Sequence, residues 1–301
     1  MKLTILGCHS ATPRWGASPT AQVLEVRGHL FLIDCGEGTQ VQLRRYKIKF
    51  ARIKHIFISH LHGDHFFGLV GMISTFRLLG RDSELHIYGP KGIKDAITLQ
   101  LKLGNSWTNY PLLFHELDSK EPQLLFEDDK ISVATIPLKH RVYTNGFLFR
   151  EKLGERKLNI NAVQEANVNI SYYSKIKQGF DIENESGEVI ANEVLTFDPE
   201  PSKSYAFCSD TVYDPKIIPW IKDVTCLYHE STFLTEHQEL AVKTKHSTAK
   251  EAALIAKEAN VKNLILGHYS GRYNDLELFR KEAEEVFQNV DLAEDGKVFS
   301  V

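Results

Sequence analysis

The residues with the clearest chemical potential lie in one short segment. Residues 60–65, with the sequence HLHGDH, hold three histidines and one aspartate directly after an apolar run typical of a β-strand, 54–59. Neutral imidazole suits zinc, and a carboxylate serves as a metal ligand or as a proton acceptor. Gly63 gives the backbone freedom to bring the flanking side chains round. Histidines in a loop are often simply solvated, but this density of ligand types favours a metal-binding loop.

Other ligand-type residues follow further predicted strands. In open α/β sheets the carboxyl ends of the strands form the edge where functional sites are built. Each of these residues taken alone is more often structural than functional. Together with residues 60–65 they supply enough ligands for two complete coordination spheres. The predicted strands 130–136, 204–209, 224–228 and 262–266 are followed by His140, Asp210, His229-Glu230 and His268, respectively.

These residues must be positioned by an α/β scaffold. Runs rich in β-branched and aromatic residues alternate with runs of helical periodicity, which indicates a layered α/β architecture. Arg27-Gly28 separates two β-like runs and predicts a hairpin turn. The predicted strands are 3–6, 22–26, 30–34, 54–59, 84–88, 130–136, 204–209, 224–228 and 262–266, and the predicted helices are 39–46, 67–79, 93–103, 248–259 and 276–287.

Composition excludes several classes of protein. The chain has 301 residues, 43% of them hydrophobic, which is enough for one large domain. No apolar run approaches the roughly 18 residues that a membrane span needs, and the first residues lack the apolar stretch of a signal peptide. The four cysteines are scattered and form no C-x-x-C pair. We therefore expect a cytoplasmic protein with reduced thiols and no membrane segment.

Charge is unevenly distributed along a chain whose net charge is only −3. Residues 41–55 hold six Lys/Arg and no acid, and residues 139–178 hold eight Lys/Arg against three Glu. Such segments indicate either a basic face for an acidic partner or ordinary solvated helix faces. Residues 150–200 are rich in Lys, Asn, Glu and Ser and show weak periodicity, so we expect a surface insertion or a protruding arm there.

The H-x-H-x-D-H loop resembles the signature of the metallo-β-lactamase superfamily, and further motifs resemble the ribonuclease Z family, which processes tRNA 3′ ends. The similarity runs from the first strand to about residue 280. It implies a metallo-β-lactamase αββα sandwich formed by a single domain, 1–301, with a tRNA-binding arm inserted at residues 150–200. The motifs that carry the narrower resemblance are DCGEGTQ at 34–40, HESTF at 229–233, HST at 246–248 and GHYSGRY at 267–273.

The resemblance also implies a role for each ligand-type residue. Asp64 would accept the proton of the attacking water, and Glu230 would orient a protonated His246 to donate to the leaving 3′-oxygen. The implied reaction removes the 3′ trailer from precursor tRNA and leaves a 3′-hydroxyl on the tRNA and a 5′-phosphate on the trailer. Two zinc ions per chain are implied, the first held by His60, His62 and His140, the second by Asp64, His65 and His268, with Asp210 bridging both.

Further residues are candidates for binding the substrate. The amides of Gly36, Gly38 and Thr39 open a predicted helix and would cradle a phosphate, although a tight strand-to-helix turn explains the same pattern. Arg272, beside Ser270, would bind a phosphate bidentately, and a structural ion pair is the alternative.

Three questions about substrate and assembly stay open in the sequence. The same metals would serve a phosphodiesterase acting on small or cyclic phosphodiesters, and only the arm and the basic segments separate that alternative from a tRNA nuclease. The family's short form works as a homodimer, which the chain length fits. The segment 150–200 lacks the family's Gly-Pro-containing stretch. Its basic residues are Arg150, Lys152, Arg156, Lys157, Lys175 and Lys177.

Overall fold

A computed structural model describes residues 1–183 and 187–301. The strands in these residues are β1 Lys2–Gly7, β2 Ala21–Val26, β3 His29–Ile33, β4 Ile53–Phe57, β5 Leu85–Pro90, β6 Leu112–Leu117, β7 Leu124–Glu127, β8 Ile131–Lys139, β9 Tyr143–Glu151, β10 Lys157–Leu158, β11 Ile182–Glu183, β12 Val189–Ile190, β13 Thr196–Phe197, β14 Ser204–Cys208, β15 Cys226–Glu230, β16 Asn263–Gly267, β17 Val290–Leu292 and β18 Val298–Ser300. The α-helices are α1 Thr39–Arg45, α2 Gly63–Phe66, α3 Leu69–Leu78, α4 Ile93–Leu103, α5 Ile160–Glu165, α6 Tyr173–Lys177, α7 Asn192–Leu195, α8 Ile218–Ile221, α9 Gln238–Thr244, α10 Ala249–Glu258 and α11 Glu277–Glu284.

Two seven-stranded mixed sheets make up most of the β structure. The first has the order β18-β1-β2-β3-β4-β5-β6 and is parallel from β3 to β6. The second has the order β17-β16-β15-β14-β9-β8-β7 and is parallel from β17 to β14. The parallel strands β14, β15 and β16 therefore end at one edge of their sheet, where Asp210, Glu230 and His268 lie.

The two sheets face each other across an aromatic core and carry helices on their outer faces. Phe31 and Phe57 of the first sheet contact Phe149 of the second, with ring centroids 5.5 Å apart in each pair. Helices α1, α3 and α4 cover the outer face of the first sheet, and α10 and α11 pack on the second. This is the four-layer αββα arrangement expected from the sequence.

The predicted elements agree well with the observed ones. Each of the nine predicted β runs contains a strand, and each of the five predicted helical runs contains a helix. The turn at Arg27 and Gly28 is confirmed, because both residues have positive φ, 49° and 93°. The sequence analysis missed β9, since the side chains from Thr144 to Phe149 are buried on both faces and give no alternation of apolar and polar residues.

Helix α10 shows why the local sequence specifies its start. Thr248 accepts a hydrogen bond from the Glu251 amide, and the Glu251 carboxylate accepts one from the Thr248 amide. This capping box satisfies two amides that a helix start leaves unpaired. It fixes the beginning of α10 three residues after His246.

The chain divides into two compact units. One holds Met1–Glu127, Ser132–Arg150 and Lys203–Val301, and the other holds Asp128–Ile131 and Glu151–Ser202. The second unit has its own small core, built from Val163, Ile176, Ile182 and Leu195. The predicted arm, 150–200, falls almost wholly within this unit, and its residues 184–186 lie outside the described residues. The role of the arm in binding tRNA stays a prediction.

The second unit is acidic, whereas the overlapping segment 139–178 noted in the sequence is basic. Residues 151–202 hold five Lys/Arg and ten Asp/Glu, so the unit as a whole is acidic. Within it, residues 156–177 hold four Lys/Arg and one Glu. Arg156 pairs with Asp198 and Lys157 pairs with Glu200. In the described part of the chain no acid pairs with Lys175 or Lys177, so the positive charge of this unit is concentrated on α6.

Two further findings concern the environment of the chain. None of the described helices combines the length and the hydropathy that crossing a membrane requires. All four cysteines are free and buried: Cys8, Cys35, Cys208 and Cys226.

Candidate metal centre

A first group of ligand atoms converges where β4, β8 and β14 end. Nδ1 of His62 lies 2.9 Å from Nε2 of His60 and 3.4 Å from Nε2 of His140. Oδ2 of Asp210 lies 3.6 Å from the His60 nitrogen and 3.7 Å from the His140 nitrogen. The four side chains thus present one nitrogen or oxygen each toward a common point.

A second group lies beside the first and shares Asp210 with it. Nε2 of His65 lies 3.3 Å from Nε2 of His268. Oδ1 of Asp210 lies 3.0 Å and 3.1 Å from these two nitrogens. Oδ2 of Asp64 lies 3.4 Å and 3.3 Å from the same nitrogens. Asp210 therefore directs one carboxylate oxygen to each group, which is the geometry of a bridging ligand.

Both groups fit a tetrahedral metal ion. Zinc binds imidazole nitrogen at about 2.0–2.1 Å, so neighbouring ligands of a tetrahedral site lie about 3.3 Å apart. The distances above scatter around that value. Burial lowers the pKa of His60 well below its ordinary value and also lowers the pKa of His140, which leaves both imidazoles neutral, as metal ligation requires. The structure thus brings together all seven metal ligands named from the sequence.

A set of outer contacts fixes the ring orientations, and the sequence analysis gave these residues no role. Oδ2 of Asp34 lies 2.6 Å from Nδ1 of His65, and Ser59 donates its amide and hydroxyl hydrogens to the Asp34 carboxylate. The backbone carbonyl of Lys245 accepts a hydrogen bond from Nδ1 of His140. Such partners leave the opposite ring nitrogen free to bind metal and make it more basic. The signal that could have found Asp34 is its place at the carboxyl end of β3.

Backbone strain accompanies three of these residues. Asp34, Asp210 and His268 follow β3, β14 and β16, and their φ angles are 56°, 52° and 60°. Residues other than glycine rarely adopt this left-handed region, and those that do cluster at functional sites. The left-handed residue turns the chain sharply at the end of each strand, at the point where the side chain enters the site.

Beside the metal ligands lies a buried acid–base pair. Nδ1 of His246 lies 2.8 Å from Oε1 of Glu230. Glu230 also accepts hydrogen bonds from the Thr211 amide and from the Thr232 hydroxyl, which lies 2.8 Å from Nδ1 of His268. Burial alone would lower the pKa of His246, but the charge and hydrogen bond of Glu230 outweigh burial and raise it to about 9. His246 is therefore protonated at neutral pH, and its role as proton donor stays a prediction.

Asp64 is an anion in this environment. Burial alone would raise the pKa of its carboxyl, but the charge and hydrogen bonds of His65 and His268 hold that pKa well below its ordinary value. Asp64 therefore has an unprotonated oxygen available in the site. This state is compatible with both roles expected for it, metal ligand and proton acceptor.

A cleft of about 450 Å³ opens over the metal centre, and we call it the His246 cleft. Arg272 is exposed at its wall, and no ion pair holds its guanidinium among the described residues. The alternative explanation of Arg272, a structural ion pair, therefore has no support in the described residues. Arg141, which the sequence analysis did not name, lines the same cleft. Its main lining residues are His62, Asp64, Arg141, His246, Ser270 and Arg272.

The glycine-rich turn before α1 has a structural task. The Gly36 amide donates to Thr20, and both the amide and the hydroxyl of Thr39 donate to the Gly36 carbonyl. A Cβ on Gly36 would lie 2.4 Å from the Asp64 carbonyl oxygen, so the glycine permits close packing under the 60–65 loop. The amides of Gly36 and Thr39 are thus engaged within the protein. Binding of a phosphate at Gly36, Gly38 and Thr39 stays a prediction.

Proteins of similar sequence cover the whole chain. Ribonuclease Z of Bacteroides fragilis is 45% identical over 300 residues, which is 100% of this chain and 99% of that protein. Ribonuclease Z of Parabacteroides distasonis is 46% identical over 299 residues, which is 99% of this chain and 98% of that protein. The protein-family model described as Anti-Pycsar protein Apyc1 matches residues 1–155.

Solved structures give the same picture of the fold. Human tRNase Z, short form, superposes with a TM-score of 0.72 and 29% identity over 100% of this chain and 99% of that one. The metallo-β-lactamase fold protein YhfI of Bacillus subtilis superposes with a TM-score of 0.68 and 20% identity over 99% and 98% of the two chains. The metallo-β-lactamase fold expected from the H-x-H-x-D-H loop is thereby confirmed.

The first test concerns the ligands themselves. His62→Ala removes one of four converging ligand atoms, and we expect lower metal content and almost no phosphodiester hydrolysis. Metal analysis of the purified variant, beside an activity assay, measures both. His237→Ala, at a surface histidine outside the two groups, is the control and should keep both. A full metal complement in an inactive His62→Ala protein would refute the assignment of His62 as a ligand.

The second test concerns the contact between Asp34 and His65. Asn suits the left-handed backbone at position 34 but cannot hold the His65 ring as a carboxylate does, so Asp34→Asn isolates the charge. We expect metal affinity to fall about 10- to 100-fold with the fold intact. Titration with a competing chelator measures the affinity, and circular dichroism checks the fold. Unchanged affinity in a folded variant would show that Asp34 only supports the turn.

Proposed function

The chain belongs to the ribonuclease Z family, the tRNA 3′-processing endoribonucleases, and from this premise we propose that it uses two zinc ions to remove the 3′ trailer from precursor tRNA. The observation that carries the proposal is a pair of four-ligand groups joined by Asp210, with the His246–Glu230 pair beside them. The products are a tRNA with a 3′-hydroxyl and a trailer with a 5′-phosphate.

Full-length similarity favours this substrate over small or cyclic phosphodiesters. The match to the Apyc1 family model ends at residue 155, so it includes residues 60–65 and His140 but stops before Asp210, Glu230, His246 and His268. The similarity to ribonuclease Z includes both halves of the site and the segment between them. The alternative is a phosphodiesterase that acts on small or cyclic phosphodiesters. Replacement of the second unit, described below, distinguishes the two functions.

The metal assignment follows from the donor set. Imidazole nitrogens and carboxylate oxygens at tetrahedral spacing suit zinc, with His60, His62, His140 and Asp210 holding one ion and Asp64, His65, His268 and Asp210 the other. Two such ions, when bound, activate water and offset charge on the scissile phosphate.

The chain's own residues provide the proton transfers. The Asp64 carboxylate, which is ionised and lines the His246 cleft, accepts the proton of the attacking water. His246 is held protonated by Glu230 and donates to the 3′-oxygen as the bond to phosphorus breaks. The Thr232 hydroxyl joins Glu230 to the ring of His268, so the donor and the metal ligands are held in one hydrogen-bonded frame.

Substrate phosphates are bound at the rim of the His246 cleft. Arg272 and Arg141 both line the cleft and are exposed, so their guanidinium groups reach phosphates of the RNA backbone beside the scissile bond. Ser270 contributes a hydroxyl to the same wall. Gly38 is exposed and directly precedes α1, so it is the position in the glycine-rich turn most accessible to the substrate.

The second unit is proposed to dock the body of the tRNA. Its unpaired positive charge lies at Lys175 and Lys177, while Arg156 and Lys157 are neutralised by Asp198 and Glu200. Contact with a phosphate backbone is therefore expected through one limited basic face of this acidic unit.

We further propose that the enzyme is a cytoplasmic homodimer. Helices α3 and α4 pack against each other and expose large apolar side chains, with Leu78 85% and Leu103 78% accessible. Leu99 and Trp107 extend this surface. Apolar patches of this kind mark protein interfaces. The free buried cysteines suit a reducing compartment.

The role of His246 is tested with two substrates whose leaving groups differ in their need for a proton. His246→Ala should keep both metals and slow cleavage of precursor tRNA by roughly 10²–10⁴-fold, the usual range for a general acid. The loss should shrink on a nitrophenyl phosphodiester, whose leaving group needs no proton. Rate measurements on both substrates, with metal analysis of the variant, make the comparison. Equal losses on the two substrates would contradict proton donation.

The role of the second unit is tested by removing it. Arg150 and Ser204 are paired on the neighbouring strands β9 and β14, so a short Gly/Ser turn can replace residues 151–202. We expect the shortened protein to keep hydrolysis of the nitrophenyl phosphodiester and to lose precursor-tRNA cleavage, mainly through KM. The salt dependence of tRNA affinity should flatten, its slope falling by about 0.7–0.9 for each phosphate that the second unit neutralises in the intact protein.

A matched pair of point variants separates charge from folding in the second unit. Lys175→Ala with Lys177→Ala removes the unpaired charges and should raise KM for precursor tRNA, whereas Lys157→Ala removes a paired charge and should change KM little. Normal precursor-tRNA cleavage by the folded, shortened protein would refute the docking role. Equal responses of the two substrates would favour the small-phosphodiester alternative.

A further inference from the structure

A second cleft of about 580 Å³ adjoins the metal centre, and we call it the Phe67 cleft. It shares Gly63, Asp64 and the segment Ser10–Thr12 with the His246 cleft, so the two are continuous at the metal ligand Asp64. The residues that donate the proton and complete the metal site, His246 and His268, line the other cleft. The Phe67 cleft is lined chiefly by His9, Thr12, Glu37, Gly38, Asp64 and Phe67.

The wall of this cleft carries an exposed aromatic ring. Phe67 directly follows α2, the helix that contains Asp64 and His65. Its side chain is exposed, with 59% of the residue's surface accessible to solvent. A Cβ at Gly63 would lie 2.5 Å from the Phe67 ring, so the ring rests on the backbone of the ligand loop. The ring therefore packs beside Asp64, and more than half of the residue's surface is open to solvent.

The polar groups of the cleft favour a neutral, hydrogen-bonding occupant. Glu37 and Asp64 bring two carboxylates, while the guanidinium of Arg14 is engaged with the Tyr273 carbonyl and Asn274. The Glu37 carboxylate accepts hydrogen bonds from the amino groups of a base. His9, which is half-buried, also lines this cleft.

The direction of the RNA strand follows from the position of the proton donor. His246 donates to the 3′-oxygen, so the last nucleotide of the tRNA lies in the His246 cleft. The scissile phosphate lies at the metal centre, and its 5′-oxygen leads to the first nucleotide of the trailer. The continuation of the surface past Asp64, away from His246, is the Phe67 cleft.

We propose that the Phe67 cleft binds the base of the first trailer nucleotide and that Phe67 is its stacking platform. The inference rests on the proposed function, because it assigns the two clefts to the two sides of the scissile bond. The cleft volume falls within the range of pockets that enclose small molecules, so it accommodates one nucleotide. Aromatic stacking accepts any base, so the site recognises the presence of a base more than its identity.

The test compares precursor tRNAs whose first trailer nucleotide either carries a base or is abasic. For the wild-type chain we expect loss of the base to lower kcat/KM about 5- to 100-fold, the equivalent of one base stacked on an aromatic ring. Phe67→Ala should show the same loss on the base-bearing substrate and almost no further loss on the abasic one. Phe67→Tyr keeps the ring and should behave as wild type.

Controls separate stacking from support of the ligand loop. Leu124→Ala changes an apolar side chain of similar exposure, 60%, on β7 outside both clefts, and should leave both substrates unaffected. Phe67→Ala should keep normal hydrolysis of a nitrophenyl phosphodiester. Additive losses from the variant and the abasic nucleotide, or a parallel loss on the nitrophenyl substrate, would overturn the inference. A wild-type chain that cuts neither precursor would instead refute the proposed function.

Discussion

The carboxylate of Asp210 is the group on which the organisation of this protein depends. It is buried beneath the His246 cleft and directs one oxygen to each of two groups of ligands. Asp34, Asp64 and Glu230 lie nearby and are also buried or nearly so. Buried carboxylates destabilise a fold unless opposite charges are close. Glu230 is balanced by a protonated His246, Asp34 pairs with the His65 ring, and Asp64 and Asp210, the proposed metal ligands, favour further positive charge nearby. Two divalent ions at the tetrahedral positions would supply that charge, so metal binding and the integrity of this core are linked.

The fold meets this constraint by ending several strands at one place. His60 closely follows β4 of the first sheet. His140, Asp210 and His268 closely follow β8, β14 and β16 of the second sheet. Parallel strands present their carboxyl ends on one edge, which explains why ligands from distant parts of the sequence meet. Left-handed backbone at Asp210 and His268 turns the chain at the end of each strand, at a conformational cost that the surrounding packing must offset.

The same arrangement gives the site two unlike sides. On one side lies the His246–Glu230 pair with two exposed arginines, which suits a leaving alcohol and flanking phosphates. On the other side lies an exposed ring with carboxylates, which suits a base. A phosphodiester placed at the metals is therefore held in one direction, because each side of the scissile bond meets different chemistry. In the proposed function the second unit, which has its own core, would add contacts to tRNA that a small phosphodiester does not need.

Some features were determined by the sequence alone and others only by the tertiary structure. Density of ligand types at residues 60–65 and periodicity along the chain were sufficient to predict the candidate metal loop, nine of the eighteen described strands and five of the eleven described α-helices, because both signals are local. The ligands from other strands could be named only as a set, and their convergence required the sheet order. Asp34 and Thr232 orient His65 and His268 through hydrogen bonds between residues 31 and 36 positions apart in sequence, and no local pattern encodes such pairs. The sequence did not reveal which basic residues of the arm are neutralised. The ion pairs of Arg156 and Lys157 are made with residues about 40 positions away. The two clefts form between loops that come together only in the folded chain. Their lining residues are far apart in sequence, so no local pattern predicts the clefts.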